Sequence, residues 1–296
     1  MSFELGSFLR KCESMTKVSS LKALMSLGRC IVGVGARDAL DARLIEQAGF
    51  DFVWASSFCV SAAHCVPDAG ILSMTQFLDA ARSMNESTSI PVLFDADTGY
   101  GGTEQVAYAT RRISESGISG LCIEDKCFPK QSSLLPDASH ALVSSKEFAE
   151  KIRAAVDARP TRQFLIMART ESLIAGLSHH EALDRGYTYQ EAGADALLIH
   201  SKSTSPNEVL SFVAAWQGEI PLAIVPTNYP TLTEERVEAL GKVKFVIYGN
   251  HTVRAAIQGT QAALAEIRRA RGAHTLNGLV APLSTVFSLQ GEKIKG

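Results

Sequence analysis

A chain of 296 residues, 46% hydrophobic and 20% charged, is long enough to bury a large core without disulfide or metal staples. Its 29 basic and 31 acidic residues leave a formal net charge of −2, which argues against a nucleic-acid surface or a polybasic membrane patch. No apolar run approaches the ~18 residues of a membrane span. Glu4, Arg10, Lys11, Glu13, Lys17 and Lys22 break up the first thirty residues, so no export signal is expected and the cytoplasm is the expected compartment.

Residues 1–20 are expected to form a short extra helix ahead of the first strand. Eight short, β-rich apolar runs follow: Cys30–Val34, Phe52–Ala55, Pro91–Phe94, Gly120–Ile123, Phe164–Ala168, Ala196–Ile199, Pro221–Val225 and Lys244–Tyr248. Near-continuous apolarity suits parallel strands covered on both faces. Helical stretches are read at Asp38–Ala48, with Leu40, Leu44 and Ala48 on its apolar face, and at Ser145–Ala155, His179–Ala192, Pro206–Trp216, Thr233–Leu240 and Val253–Arg271. A last helix, Pro282–Gln290, is expected outside the repeat. The segments "EQAGFDFVW", "SESGISGLCI" and "QEAGADALLI" each read as helix end, left-handed glycine cap, then strand.

Eight strand–helix units predict an α/β fold, a (β/α)8 TIM-type barrel. A doubly wound open sheet is the alternative, although "VGVGARDAL" is a weak match to its phosphate loop. No linker or composition shift marks a second domain. One barrel domain over 1–296 is expected, with an N-terminal extension at 1–20 and a C-terminal helical extension at 272–296. The cysteines Cys12, Cys30, Cys59, Cys65, Cys122 and Cys127 form no CxxC pair, which argues against a zinc knuckle or a redox motif.

In such a barrel the chemistry lies at the C-terminal strand ends. Those ends carry Ser56 and Ser57; Asp95 and Asp97; Glu124, Asp125 and Lys126; Arg169 and Glu171; His200 and Ser201; Thr227 and Asn228; Asn250 and His251. Carboxylates from three consecutive strands would repel one another if left unpaired. A hard divalent cation such as Mg²⁺ resolves the conflict with oxygen ligands; the alternative is an Asp/Arg ion-pair network without metal. Asp95 and Asp97, two residues apart, are expected on one side of the strand end. Arg169 offers a planar fork to a substrate anion. His200 is either a site residue or a satisfied barrel histidine. The segment Lys126–Pro136 reads as a lid, with Lys126 and Lys130 supplying positive charge for an anionic substrate.

At "DADTGYGG", "IEDKCFPKQSSLL", "MARTESLIAG" and "ADALLIHSK" the chain resembles the isocitrate lyase/phosphoenolpyruvate mutase superfamily, over roughly Leu21 to Gln290. Within it, the chain is most similar to the branch that handles phosphonopyruvate. The resemblance implies a Mg²⁺ site, with Mn²⁺ able to substitute, a mobile gating loop, and a homo-oligomer (dimer or dimer of dimers) built on a swapped C-terminal helix. It implies Asp95 as the direct metal ligand, with Asp68, Asp97 and Glu124 holding metal-bound waters. Trp54, Ser56 and Ser57 would line the pocket, Arg169 and His200 would face the phosphoryl group, and Lys130, Gln131, Ser132 and Ser133 would form the gating loop.

The loop divides the superfamily. Carbon–carbon lyases carry a loop cysteine, which this loop lacks; Cys127 lies before it. Mutases have asparagine where this chain has Ser132, and hydrolases have threonine, the nearer match. The expected activity is therefore Mg²⁺-dependent cleavage of phosphonopyruvate to pyruvate and phosphate, with phosphoenolpyruvate mutase as the alternative. A carbon–carbon lyase or a non-catalytic carboxylate-binding barrel ranks lower. The expected partner is a small anionic substrate, with no nucleic acid and no membrane. Departures from the superfamily pattern are Arg37 in place of histidine, Asp41 in place of serine, Ser57 in place of glycine, and "DASHA" in place of the "DGR" that commonly follows the loop.

Overall fold

A computed structural model describes residues 17–135 and 138–291. Eight parallel strands close into a barrel in chain order: β1 (Ile31–Ala36), β2 (Phe52–Ala55), β3 (Val92–Asp95), β4 (Gly120–Glu124), β5 (Leu165–Thr170), β6 (Ala196–Ile199), β7 (Leu222–Ile224) and β8 (Val243–Tyr248). The predicted (β/α)8 fold is correct, and the open-sheet alternative is excluded because β1 pairs with β8.

The helices are α1 (Lys17–Leu24), α2 (Ala39–Gln47), α3 (Ser57–Ala63), α4 (Met74–Ser87), α5 (Thr103–Glu115), α6 (Ser145–Ala158), α7 (His179–Glu191), α8 (Asn207–Ala215), α9 (Glu234–Glu238), α10 (His251–Ala270) and α11 (Leu283–Leu289). The helix expected over 1–20 overlaps α1 at residues 17–20, and residues 1–16 lie outside the described ones. The glycines of the three repeated segments, Gly49, Gly117 and Gly193, all have positive φ, as the left-handed cap requires.

The sequence reading missed α3 and α4 entirely and placed only the glycine-marked end of α5. The two missed helices carry cap signals: Ser56 accepts from the backbone of Cys59 ahead of α3, and Ser73 with Gln76 forms a capping box at α4. The apolar face of α2 was also misassigned. Leu40, Leu44 and Ala48 are exposed, while Asp41, Ala42 and Ile45 are buried. The slim Ala42–Ile45 edge fits under the neighbouring helix, and the leucine stripe faces outward.

A period of two sorts every strand. Ile31, Phe52, Trp54, Leu93, Cys122, Leu165, Met167, Ala196, Leu198, Ala223, Phe245 and Ile247 fill the barrel interior, and Leu21 of α1 joins that cluster. Val32, Val53, Phe94, Leu121, Ile166 and Leu197 face the helices. Two residues beyond an inward side chain, the next inward position lies at the C-terminal rim. That step leads from Trp54 to Ser56, from Leu93 to Asp95, from Cys122 to Glu124, from Met167 to Arg169 and from Leu198 to His200. The strand alternation that packs the core thus also aims the polar rim.

Candidate active site

A cavity of about 640 Å³ opens at this rim, lined by Trp54, Ser56, Ser57, Asp68, Asp95, Lys130, Gln131, Ser132, Ser133, Arg169 and His200 among others. Eleven of the fourteen residues expected in the site therefore share one wall system. Asp97, Glu124 and Lys126 lie behind it.

Asp95 accepts from Ser57 Oγ at 2.9 Å and from the Ser57 backbone N–H at 3.3 Å, both on Oδ2. Asp97 lies past the end of β3 with φ 51°, so its placement comes from a left-handed turn and not from the strand alternation expected for it. The ammonium of Lys130 lies 2.7 Å from Asp68 Oδ1 and 2.7 Å from Asp97 Oδ1. These are ion pairs without hydrogen-bond alignment, since both oxygens lack a hydrogen-bond partner.

Register sets the second half. Glu124 pairs with Arg169 across β4 and β5, and Arg169 Nη1 lies 3.4 Å from Glu124 Oε2. Arg169 also donates through Nε to Glu171, and through Nη2 to Ser133 Oγ (2.9 Å) and His200 Nδ1 (3.2 Å). Arginine can only donate, so Nδ1 of His200 is an acceptor and the ring is neutral. Burial pushes the imidazole pKa down, which agrees.

Lys126 does not reach the cavity. It is fully buried, 3.1 Å from Glu171 Oε2 and 3.8 Å from Glu124 Oε1, and it donates to Ser133 Oγ at 2.5 Å. The expectation of a substrate-facing charge is corrected: desolvating this ammonium requires adjacent carboxylates, and Glu171 supplies one. Glu171 is the residue the sequence reading left without a role. Burial opposes its ionisation, yet Arg169 and Lys126 hold its carboxyl well below the usual range. Asp125, on the outward phase of β4, faces away. It accepts from Tyr189 OH at 2.6 Å, the Glu171 backbone N–H at 2.8 Å and Arg185 Nη1 at 3.1 Å.

Among the described residues no three His, Cys, Asp or Glu side chains are gathered closely enough to hold a metal ion as they stand. The acids are instead engaged with Lys126, Lys130 and Arg169, the ion-pair arrangement weighed as an alternative. That pairing is incomplete. Asp68, Asp95, Asp97, Glu124 and Glu171 face three cations, an excess of two negative charges. Burial pushes Asp97 up to about 7 and raises Asp95 as well. Oδ1 of Asp68, Oδ1 of Asp97 and Oε1 of Glu124 are buried without hydrogen-bond partners. All of these donors are hard oxygens, and one divalent cation matches the charge excess, so the residues present fit Mg²⁺.

The sequence profile of the phosphoenolpyruvate phosphomutase family matches residues 21–268. Phosphonopyruvate hydrolase of Variovorax sp. (strain Pal2) is 45% identical over 279 residues, covering 94% of this chain and 96% of the relative. A crystal structure of phosphoenolpyruvate phosphomutase from Streptomyces platensis subsp. rosaceus superposes with a TM-score of 0.90 at 42% identity, covering 93% of this chain and 95% of that one. Phosphonopyruvate hydrolase in complex with oxalate and Mg²⁺ superposes with a TM-score of 0.89 at 44% identity, covering 94% and 95%. The relatives are enzymes, and sequence profile, identity and superposition agree: this chain belongs to the phosphoenolpyruvate phosphomutase family.

Proposed function

We propose that this enzyme hydrolyses phosphonopyruvate to pyruvate and phosphate with Mg²⁺ as cofactor. The observation that carries the choice of hydrolase is Ser132, which lines the cavity from the loop. Its side chain is small, so water has room to reach phosphorus. Asparagine at that place would add two N–H donors and a carbonyl over the phosphoryl group. The greater identity to phosphonopyruvate hydrolase supports the same choice.

In the reaction the C–P bond breaks, a water oxygen bonds phosphorus, and C3 of the pyruvate fragment takes a proton. Asp95 would be the direct ligand of the metal, with Asp68, Asp97 and Glu124 around its waters; bound Mg²⁺ supplies Lewis-acid polarisation of the substrate oxygens. Ser56 orients the substrate carboxylate beside Trp54, while the Ser57 N–H is held by Asp95. Arg169 presents a charged fork to the phosphoryl oxygens, where a loose transition state spreads charge, and neutral His200 donates from Nε2. Lys130, Gln131, Ser132 and Ser133 close the cavity. Ser133 Oγ donates to Glu171 and accepts from Lys126 and Arg169, so one loop hydroxyl is bound on three sides.

Mn²⁺ substitutes for Mg²⁺ on the same oxygens, and the enzyme works in the cytoplasm. The active form is a homo-oligomer in which α10 and α11 pack on a second copy. Of the 20 residues of α10 only Val253 is buried, while Ile257, Leu264 and Ile267 are exposed. Leu283, Val286 and Phe287 of α11 are exposed as well.

Pyruvate release can be followed by coupling to lactate dehydrogenase. Phosphonopyruvate should give one pyruvate and one phosphate per turnover, abolished by a chelator and restored by Mg²⁺. Turnover that continues undiminished in chelator would refute the metal-dependent reading.

A further inference from the structure

Ser57 is 1% exposed and lines the cavity, and among the described residues it is the source of both hydrogen bonds that reach Asp95. Both fall on Oδ2. Among the described residues no hydrogen bond reaches Oδ1. The same hydroxyl lies 3.5 Å from Lys130 Nζ, the loop ammonium that Asp68 and Asp97 share. A hydroxyl has one proton, and here Asp95 takes it, so the lysine contact must use a Ser57 lone pair. The neighbouring Ser56 hydroxyl makes no hydrogen bond to Asp95 among the described residues; it accepts from Cys59 N–H as the cap of α3.

We infer that Ser57 is a positioning residue for the divalent cation. Its hydroxyl and N–H clamp one oxygen of Asp95 and thereby present the other to the metal. A free carboxylate rotates about two torsions and loses that freedom on binding a cation. Donors fixed on one oxygen remove the loss beforehand, the usual task of groups just outside a metal's ligands. The contact with Lys130 makes Ser57 the junction between loop and strand: the ammonium that enters with the loop meets the hydroxyl that aims the ligand. This inference rests on the metal-dependent reading above and adds to it a residue that governs metal affinity.

The test is Mn²⁺ titration of the metal-free protein by EPR, for the parent, Ser57→Ala and Ser57→Gly, each with its metal-free melting temperature. Both variants lack the hydroxyl and keep the backbone N–H, and two are used in case one folds poorly. Mn²⁺ affinity is expected to weaken about tenfold in both, the size seen when such supporting groups are removed. The Mg²⁺ concentration for half-maximal activity should rise in parallel. Affinity within twofold of the parent in a variant that melts normally would overturn the inference. A parent that binds Mn²⁺, with the expected loss in the variants, yet never turns over phosphonopyruvate would sink the functional reading and leave the role of Ser57 standing. A parent that binds no Mn²⁺ would overturn both.

Discussion

Arg169 shows how much one side chain is asked to do. Its guanidinium meets Glu124, Glu171, Ser133 and His200 at once, which needs a planar group with donors in several directions. Arg169→Lys keeps the charge and loses the fork, and kcat/KM should fall about 100-fold or more, in line with removal of a transition-state donor. A loss of only a few-fold in steady-state kinetics would show that Arg169 does not hold the phosphoryl group. His200 should set the acid side of the pH profile. Burial lowers its pKa from 6.5, so the neutral ring persists as pH falls through 6.5, and activity should drop only below that value. Protonation then places a second cation against Arg169. His200→Gln cannot be protonated and should flatten that limb; an unchanged limb would assign it elsewhere. Most of these residues were legible because strand alternation carries core positions straight into the rim. Lys126 was misread because a lysine's charge does not tell which side of a loop it enters. Its partner Glu171, two residues past Arg169, was visible at the strand end, but nothing in the sequence paired the two.

Among the elements, the loop after β4 lines the cavity with Lys130 to Leu135. Lys126 bridges to Leu142 at its base, while Lys130 and Ser133 reach down into buried ion pairs. Phe128 and Leu135 remain exposed between and beyond those anchors. The expected lid Lys126–Pro136 thus has interior anchors and accessible bonds, although Pro136 and Asp137 lie outside the described residues. Chymotrypsin should cut after Leu134, since proline follows both Phe128 and Leu135, in the ligand-free protein, and Mg²⁺ plus oxalate should slow it; equal rates would contradict a ligand-coupled lid. Ser133→Ala should speed cutting by removing a hydroxyl bound on three sides. The barrel itself tolerates less. A methyl group added at Gly35 would sit 2.0 Å from the Gly249 carbonyl oxygen, between two strands fixed by their ladder. Gly35→Ala should cost about 3 kcal/mol, the upper range for overpacking, measured by denaturant unfolding. The glycine-capped helices were legible from their sequence punctuation. Helices α3 and α4 were passed over although Ser56 and Ser73 mark their starts, because short polar caps are common outside helices too.

At the scale of the whole molecule, closure of eight strands brings residues from Ser56 to His200 onto one rim and concentrates five carboxylates against three cations. The fold was legible because eight apolar runs with intervening helices leave few closures. The balance of the site was not, since it depends on which lysines turn inward. The exposed apolar residues of α10 and α11 were equally out of reach, because one chain's periodicity does not name what covers it. Light scattering should return a dimer or larger assembly, and Leu264→Glu on α10 should shift it toward monomer; a monomeric parent would leave that face without its proposed partner. In the proposed reaction water attacks phosphorus as the carbon–phosphorus bond breaks. ³¹P NMR of phosphonopyruvate turned over with Mg²⁺ in H₂¹⁸O reads that step. The expected product is inorganic phosphate carrying one ¹⁸O atom from solvent, seen as an isotope-shifted resonance. A phosphoenolpyruvate signal in its place would contradict that reaction and mark the enzyme as a mutase.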